Sequence, residues 1–127
     1  MKDLLGTWRL VATSAVDTAG GRPLPQPYGP KAMGTLTFTA DRMMAVLCDG
    51  RAQVEGPREY NSYCGAYTFD GKTLVTRVDA ASTAARMDTD QVRAVRFDGA
   101  RLILRPPPQP YRDGGMQQRE LTWERIG

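Results

Sequence analysis

The amino-acid sequence predicts an all-β fold, an eight-stranded up-and-down antiparallel β-barrel with one open and one closed end. Helical periodicity is nearly absent, while period-two segments rich in Val, Thr, Leu, Phe and Tyr recur along the chain. With 127 residues the chain is predicted to be a single domain, residues 1–127, that is long enough to bury a core. The segments predict strands at about 5–16, 33–40, 42–49, 60–69, 72–80, 90–97, 100–105 and 117–126.

Short and long connections alternate between these strands. The short ones are "TADR" at 39–42, "FDGK" at 69–72 and "FDGA" at 97–100, and Asp-Gly tolerates the positive φ angles of a two-residue hairpin turn. Successive connections of a meander lie at opposite ends of its sheet, so all the long connections are expected on one rim. This pattern predicts a cup whose closed bottom carries the tight turns and whose open mouth carries the long loops, at about 17–32, 50–59, 81–89 and 106–116.

The segment "PQPY" occurs twice, at 25–28 and at 108–111. Barrel closure pairs strand eight with strand one, which makes the two segments neighbours at the mouth. The strands around them show no repeat, so internal duplication is not indicated. Three interpretations stay open: polyproline docking on a partner domain, a paired lid in which Tyr28 and Tyr111 close over a ligand, or rigid loops whose tyrosines pack on the barrel shoulder.

Hairpin turns fix register, and register decides which side chains face the interior. The Asp70-Gly71 turn predicts Tyr67 opposite Leu74 and Tyr63 opposite Val78, with both tyrosines inside the barrel. On strands two and three Leu36 and Phe38 face inward, and either Met43 or Met44 follows. On strand one, alternation places Trp8, Leu10 and Ala12 on one face, and on strand eight it places Leu121, Trp123 and Arg125 together.

The Asp98-Gly99 turn predicts Val95 opposite Leu102 and Arg93 opposite Leu104, and so places the Arg93 guanidinium in the barrel. A buried guanidinium is costly without a partner, and no acidic residue is predicted on an interior face. Arg93 therefore indicates a site, with Gln91 and Thr76 as polar neighbours. The competing interpretation is that Arg93 pairs with a loop acid (Asp88, Asp90 or Glu59) or extends to the rim.

Composition excludes several functional classes. The 17 basic and 14 acidic residues are scattered, and no basic stripe is interleaved with aromatic residues, so no nucleic-acid partner is expected. The absence of histidine removes Ser-His-Asp and Cys-His catalysis and the usual zinc sites, and no metal or cofactor is predicted.

No apolar run is long enough for a signal peptide or a membrane span, so a cytoplasmic protein without a membrane partner is expected, as a monomer or a homodimer. Cys48 and Cys64 are predicted to be buried free thiols, and a disulfide would require that their strands are neighbours.

The two ends of the chain carry a family resemblance. Gly6-Thr7-Trp8 in "LLGTWRLV" resembles the Gly-x-Trp that opens lipocalin-type barrels, and Arg125 in "LTWER" matches the basic residue that packs over this tryptophan at the closed end. The segments "GTLTFT", "YNSYCGAYTFDGKTLV" and "QVRAVRFDGARLIL" resemble the small bacterial and fungal lipocalin-like domain family, a calycin-type barrel.

Two departures from the family pattern limit what the resemblance implies. The strand-two turn "TADRMM" lacks the glycine, and Thr76-Arg77 replaces a histidine that many members carry on strand five. The resemblance implies a barrel with a pocket, found in some enzymes of secondary metabolism, but not one shared reaction.

Three functions stay open. The first is binding of a small, mainly hydrophobic ligand, with or without a carboxylate, in the barrel. The second is a cofactor-free cyclase, isomerase or lyase for an aromatic or polyketide-type substrate, with Tyr63 or Tyr67 as general acid and Arg93 holding a carboxylate or enolate. The third is a structural or interaction module whose barrel is filled by its own side chains. The predicted ligand-binding set is Arg93, Gln91, Tyr63, Tyr67, Thr76, Phe38, Met43, Leu104, Trp123, Tyr28 and Tyr111, and the predicted closed end consists of Gly6, Trp8 and Arg125.

Overall fold

The computed structural model describes residues 3–111 and 114–127 of the chain. The predictions that residues 1–127 form one domain and that 106–116 form a loop therefore include four residues, 1, 2, 112 and 113, that lie outside the described residues. The described strands are β1 (Gly6–Asp17), β2 (Ala32–Phe38), β3 (Arg42–Asp49), β4 (Tyr60–Phe69), β5 (Thr73–Ala81), β6 (Asp90–Asp98), β7 (Arg101–Arg105), β8 (Gln109–Pro110) and β9 (Met116–Arg125). A 3-10 turn, Ala84–Arg86, lies between β5 and β6.

These strands form one closed antiparallel sheet. Each strand from β1 to β6 pairs with the one that follows it, β7 pairs with β9, and β9 also pairs with β1. The predicted eight-stranded up-and-down barrel is thereby confirmed, and every predicted strand end lies within two residues of the observed one. The two-residue β8, which was not predicted, pairs only with the start of β9.

The predicted register of β4 and β5 was wrong by two residues. Tyr67 lies opposite Thr76, not Leu74, and Leu74 lies opposite Phe69. Four residues, 70–73, separate the last pair of this hairpin, Phe69 and Leu74. The Asp70 carboxylate holds this turn by accepting the backbone N–H groups two and three residues further on, at 2.9 and 2.7 Å. A shift of two leaves every side chain on its predicted face.

The predicted register of β6 and β7 was also wrong by two residues. Val95 lies opposite Leu104 rather than Leu102, and the ladder ends with Ala94 opposite Arg105. The turn consists of Gly99 and Ala100, because Gly99 takes the positive φ of 60° that opens it. Arg93 therefore lies beyond the last paired residue of β7, nearer the mouth than predicted.

A bulge in β1 corrects one predicted face. Leu10 pairs with Trp123 and Ala12 pairs with Thr122, so Val11 is an extra residue on β1. The extra residue reverses the alternation. Ala12 is consequently exposed, and Thr13 faces inward in its place.

The closed end has the structure that the resemblance implied. The Arg125 guanidinium lies 4.3 Å from the centre of the Trp8 ring, within the range of a cation–π contact. The Trp8 indole N–H donates to the Leu4 carbonyl at 3.0 Å. Gly6 has a φ of 116°, and a Cβ at this position would lie 2.4 Å from the Gly127 carbonyl oxygen. Only glycine fits here.

Aromatic and sulfur-containing side chains fill the space above this end. Phe38 lies opposite Met43, and the Phe38 and Tyr67 rings meet edge to face with 5.1 Å between their centres. Met43 is the inward methionine, because it is buried while Met44 is exposed. The Tyr67 hydroxyl donates to the Thr39 carbonyl at 2.7 Å, which fixes it at the tight-turn end of the barrel.

Gly65 provides a test of the barrel wall. A second bulge, in which Asp79 is the extra residue on β5, brings a strand backbone so close that a Cβ on Gly65 would lie 1.9 Å from the Arg77 carbonyl oxygen. Because backbone atoms cannot move aside without breaking the ladder, Gly65→Ala should lower the free energy of unfolding by about 3 kcal/mol in urea denaturation. Gly20→Ala is the control, since nothing lies within 4 Å of a Cβ there. Equal stability of the two variants would contradict the packing described.

Candidate functional site

A cavity of about 60 Å³ lies inside the barrel at its open end. Its inner wall is apolar and consists of Leu36, Ala45, Leu47, Leu104, Leu121 and Trp123. Its rim is polar and contains Tyr28, Asn61, Tyr63, Arg86, Arg93 and Arg119. An apolar chamber with polar groups gathered at one end is the arrangement that small-molecule sites share.

The cavity is small. A water molecule needs roughly 10–15 Å³ of such space, so the cavity accommodates about four to six water-sized groups. Pockets for drug-sized ligands have volumes of roughly 300–1,000 Å³. Most of the barrel interior is therefore filled by its own side chains, and in this conformation only a small molecule fits.

Three guanidinium groups line the rim, and two of them have no carboxylate partner. Arg119 forms an ion pair with Glu59 at 3.3 Å. Arg86 and Arg93 both donate to the side-chain oxygen of Gln91, and neither has a carboxylate within 4 Å in residues 3–111 and 114–127. The rim of the cavity therefore carries excess positive charge.

Of the competing interpretation of Arg93, that it pairs with a loop acid or extends to the rim, the described part of the chain shows no pairing with a loop acid, and Arg93 lies at the rim. Glu59 binds Arg119, and the Asp90 carboxylate lies 3.6 Å from Arg77 on the outer face. Asp88 forms no ion pair there. Arg93 instead donates to the Val92 carbonyl at 2.8 Å.

The Tyr63 ring contacts both guanidiniums that lack a carboxylate partner among the described residues. The guanidinium carbons of Arg86 and Arg93 lie 5.6 and 5.9 Å from the centre of its ring. The π-face of the ring attracts both cations and leaves their N–H groups available to an anion. The backbone at Arg86 is held in place because its carbonyl accepts the Thr89 hydroxyl at 2.6 Å.

Two buried polar atoms of cavity-lining residues have no hydrogen-bond partner among the described residues: the indole N–H of Trp123 and the side-chain oxygen of Asn61. Trp123 is only 1% exposed. An unpaired buried donor costs about 1–3 kcal/mol. The other tryptophan, Trp8, has its partner in Leu4.

Tyr28 closes the cavity from above. It is 6% exposed, and it takes a positive φ of 65°, which is rare for a bulky side chain. Its backbone N–H donates to a Glu59 oxygen at 2.7 Å, and the Pro27 carbonyl accepts the buried Thr13 hydroxyl at 2.8 Å. Burial raises the pKa of the Tyr28 hydroxyl. The first PQPY segment is thus folded into the mouth.

The second PQPY segment has a different role, although its Gln109 also lines the cavity. Gln109 and Pro110 form β8, and the Tyr111 hydroxyl hydrogen-bonds to the Asp17 carboxylate outside the cavity. This bond raises the pKa of Tyr111 and lowers that of Asp17. The two segments are neighbours, as predicted, because both border an open groove of about 670 Å³. Of the two tyrosines in the paired-lid hypothesis, only Tyr28 lines the cavity.

The predicted ligand-binding residues divide into two groups. Those that line the cavity are Tyr28, Tyr63, Arg93, Leu104 and Trp123. Those that do not line it are Gln91, Phe38, Met43, Tyr67, Thr76 and Tyr111. Of these, Gln91 lies just behind the rim as the partner of Arg86 and Arg93. The register shift explains part of this division, because it places Thr76 opposite Tyr67, nearer the tight-turn end than predicted.

Sequence reasoning missed Asn61, Arg86, Arg119 and the latter's partner Glu59. Arg119 could have been predicted from the sequence, because the alternation that joins Leu121 and Trp123 also places Arg119 on the inner face of β9. Asn61 could also have been predicted, because it belongs to the same alternation as Tyr63 and Tyr67 on the inner face of β4. Arg86 lies in a connection without strand or helix periodicity, so no signal indicated its direction.

One interior carboxylate was also missed. Asp49 ends the inward row of β3 and is 3% exposed, which corrects the prediction that no acid faces inward. It forms an ion pair with Arg51 at 2.6 Å, and its backbone carbonyl accepts the Arg58 guanidinium at 2.7 Å. Hydrogen bonds from the Arg51 side chain and backbone lower the pKa of Asp49 to about 2.

The cysteines are free and half-buried. Their strands are neighbours, but Cys48 lies opposite Tyr60 while Cys64 lies opposite Met44, so the register separates them. The described residues contain no group of three or more His, Cys, Asp or Glu side chains that could hold a metal ion. Within the same residues there is no helix with the length and apolar character needed to span a membrane.

Comparisons of the chain with protein-family models, with curated proteins and with solved structures found no match. The resemblance to the lipocalin-like domain family therefore stays a prediction.

The Asp49–Arg51 pair predicts a specific pH dependence. Because the pKa of Asp49 is lower in the folded protein than its ordinary value of 3.8, the carboxylate stabilises the fold above about pH 4, and this contribution is lost as the pH falls towards 2. The melting temperature of the parent should therefore fall more steeply between pH 5 and pH 2.5 than that of Asp49→Asn. Glu55→Gln, which removes an exposed charge from the next loop, should follow the parent. Parallel curves for Asp49→Asn and the parent would refute the assignment.

Proposed function

We propose that the barrel binds a small, mainly apolar molecule that carries a carboxylate. The carboxylate lies at the rim, where Arg86 and Arg93 donate to it, and the apolar part extends towards Trp123 and Leu104. This is the binding role expected from the sequence, with a narrower limit on ligand size.

The observation that carries the proposal is the pair of guanidiniums at the end of an apolar cavity for which the described residues offer no carboxylate partner. Arg86, Arg93 and Arg119 contribute three positive charges to the rim, and the carboxylate of Glu59 offsets one of them. A planar carboxylate accepts two N–H bonds from a guanidinium, and such charge-assisted bonds are roughly twice as strong as neutral ones.

The catalytic alternative has less support. It relied on Tyr63 or Tyr67 as general acid, and Tyr67 lies at the tight-turn end, where its hydroxyl already donates to Thr39. Tyr63 contacts both unpaired arginines through its ring face, which suits the positioning of cations. Among the described residues that line the cavity there is no Asp, Glu, His, Lys or Cys, so proton transfer in both directions would depend on the Tyr28 and Tyr63 hydroxyls, and burial raises the pKa of Tyr28.

The two tryptophans allow a direct test. In a ¹H–¹⁵N correlation spectrum the protein has two indole signals, one from Trp8 at the closed end and one from Trp123 in the cavity. Titration with butyrate should move the Trp123 signal saturably and leave the Trp8 signal in place. Trp8→Phe assigns the two signals. Butyramide, which has the same shape without the charge, should bind at least about tenfold more weakly, since a bond to a charged group contributes about 1.5–3 kcal/mol.

Two variants complete this test. Arg93→Gln should weaken butyrate binding about 10- to 100-fold, for the same energetic reason. Arg101→Gln removes an exposed arginine on β7 and should bind as the parent does. The proposal fails if butyrate does not move the Trp123 signal, or if butyramide and Arg93→Gln bind equally well while the spectra show intact folds.

A further inference from the structure

We infer that Glu59 occupies the position of a ligand carboxylate on Arg119 and, by holding Tyr28 over the cavity, restricts the site to short-chain monocarboxylates. The inference rests on the proposed function and adds its size limit and its regulation. Four described residues carry it: Tyr28, Glu59, Arg119 and Trp123.

Glu59 connects the rim to the first PQPY segment through its two oxygens. One oxygen accepts the Tyr28 backbone N–H at 2.7 Å, and the other accepts the Arg119 guanidinium at 3.3 Å. The Arg119 side chain is largely buried, whereas that of Glu59 is 43% exposed. A ligand carboxylate can replace Glu59 in this ion pair, because the half-exposed Glu59 side chain returns to water at little cost in free energy.

Tyr28 sets the volume below it. Its side chain is buried in the rim although its backbone takes the left-handed conformation at φ 65°. Non-glycine residues in this region cost about 1–3 kcal/mol and persist where surrounding contacts impose them. The bond from the Tyr28 N–H to Glu59 is such a contact. With Tyr28 in place the cavity has about 60 Å³, which fits roughly four to six non-hydrogen atoms.

The charge and the volume together define the ligand class. Acetate, propionate and butyrate have four to six non-hydrogen atoms and one negative charge, so they fit beneath Tyr28. A longer acid requires that Tyr28 moves, and this movement requires that Glu59 releases its backbone N–H. Beyond Tyr28 lies the open groove of about 670 Å³, which Arg119 also lines. A ligand carboxylate that displaces Glu59 from Arg119 would therefore loosen the lid from within.

Two substitutions of Glu59 separate its two bonds. In Glu59→Gln the amide oxygen can still accept the Tyr28 N–H, while the amide nitrogen cannot accept from Arg119. This variant should bind butyrate roughly 5- to 30-fold more tightly, the effect of one lost competing interaction, and should still exclude octanoate. In Glu59→Ala both bonds are lost, so octanoate should bind as well, and the Tyr28 amide should exchange with solvent faster than in Glu59→Gln.

Glu55→Gln and Glu55→Ala are matched controls, because they remove the same charge from an exposed position of the same loop. Binding is followed by the Trp123 indole signal and opening of the lid by hydrogen exchange at Tyr28. Tyr28→Gly is a second route to the open site, since glycine adopts the positive φ readily and leaves Glu59 untouched. It should admit octanoate even if Glu59→Ala does not fold.

The results distinguish the role of Glu59 from the proposed binding of small carboxylates. If the parent binds butyrate but Glu59→Gln binds it no more tightly, Glu59 does not compete with the ligand and the inference is overturned while the binding function stands. Exclusion of octanoate by both Glu59→Ala and Tyr28→Gly would equally overturn it. If the parent binds none of these acids, the proposed function fails first, and the inference fails with it.

Discussion

The pairing of β9 with both β1 and β7 is the constraint on which the rest of the structure depends. Without it the sheet would have two open edges. With it, one inward row of β9 runs the full height of the barrel, from the cavity floor at Trp123 to the rim at Arg119. The same pairing brings Arg125 over Trp8 and closes the lower end. Closure therefore creates the chamber, seals one end and places a cation at the other.

The arrangement at the mouth follows from where charges can be tolerated. Deep in the barrel an unpaired guanidinium would be prohibitively costly, and there the walls are Leu36, Leu74, Leu102 and Trp8. At the rim the cations remain partly hydrated and rest on the face of Tyr63. Their attraction for an anion is nonetheless stronger than at a flat surface, because low-dielectric walls surround them on the inner side. The site thus consists of partly hydrated cations at the rim of an apolar cavity.

The sequence was enough to predict which side chains face the barrel interior. It did not predict how far each of them lies from the open end, or the volume of the cavity. Both hairpin registers that were misplaced shifted by two residues, and a period of two conserves the face, so Tyr63, Tyr67 and Leu104 stayed inside. The shifts did move residues along the barrel: Thr76 lies nearer the tight-turn end than predicted, and Arg93 lies nearer the mouth. Where an extra residue entered, at Val11, the face itself was lost. Turn interactions beyond the Asp-Gly pair decided both hairpin registers.

The site residues that lie on loops escaped prediction for a different reason. Arg86 and Glu59 follow no period, and their positions depend on contacts with other loops. The same holds for Tyr28, whose sequence suggested a lid but not that the lid is closed. Alternation alone indicated that Arg93 lies inside, because each side chain of a strand points to one of only two faces of the sheet. Loop residues have no such restriction.

The volume beneath Tyr28 limits the affinity that the closed site can reach. The best small ligands gain about 1.5 kcal/mol per non-hydrogen atom, so a ligand of about four to six atoms gains at most about 6–9 kcal/mol. These free energies correspond to dissociation constants from about 40 µM down to about 0.3 µM. Any ligand held more tightly must be larger, and a larger ligand must displace Tyr28. Affinity and opening of the lid are therefore coupled in this barrel, and Glu59, which contacts both the lid and the rim cation, lies where that coupling is decided.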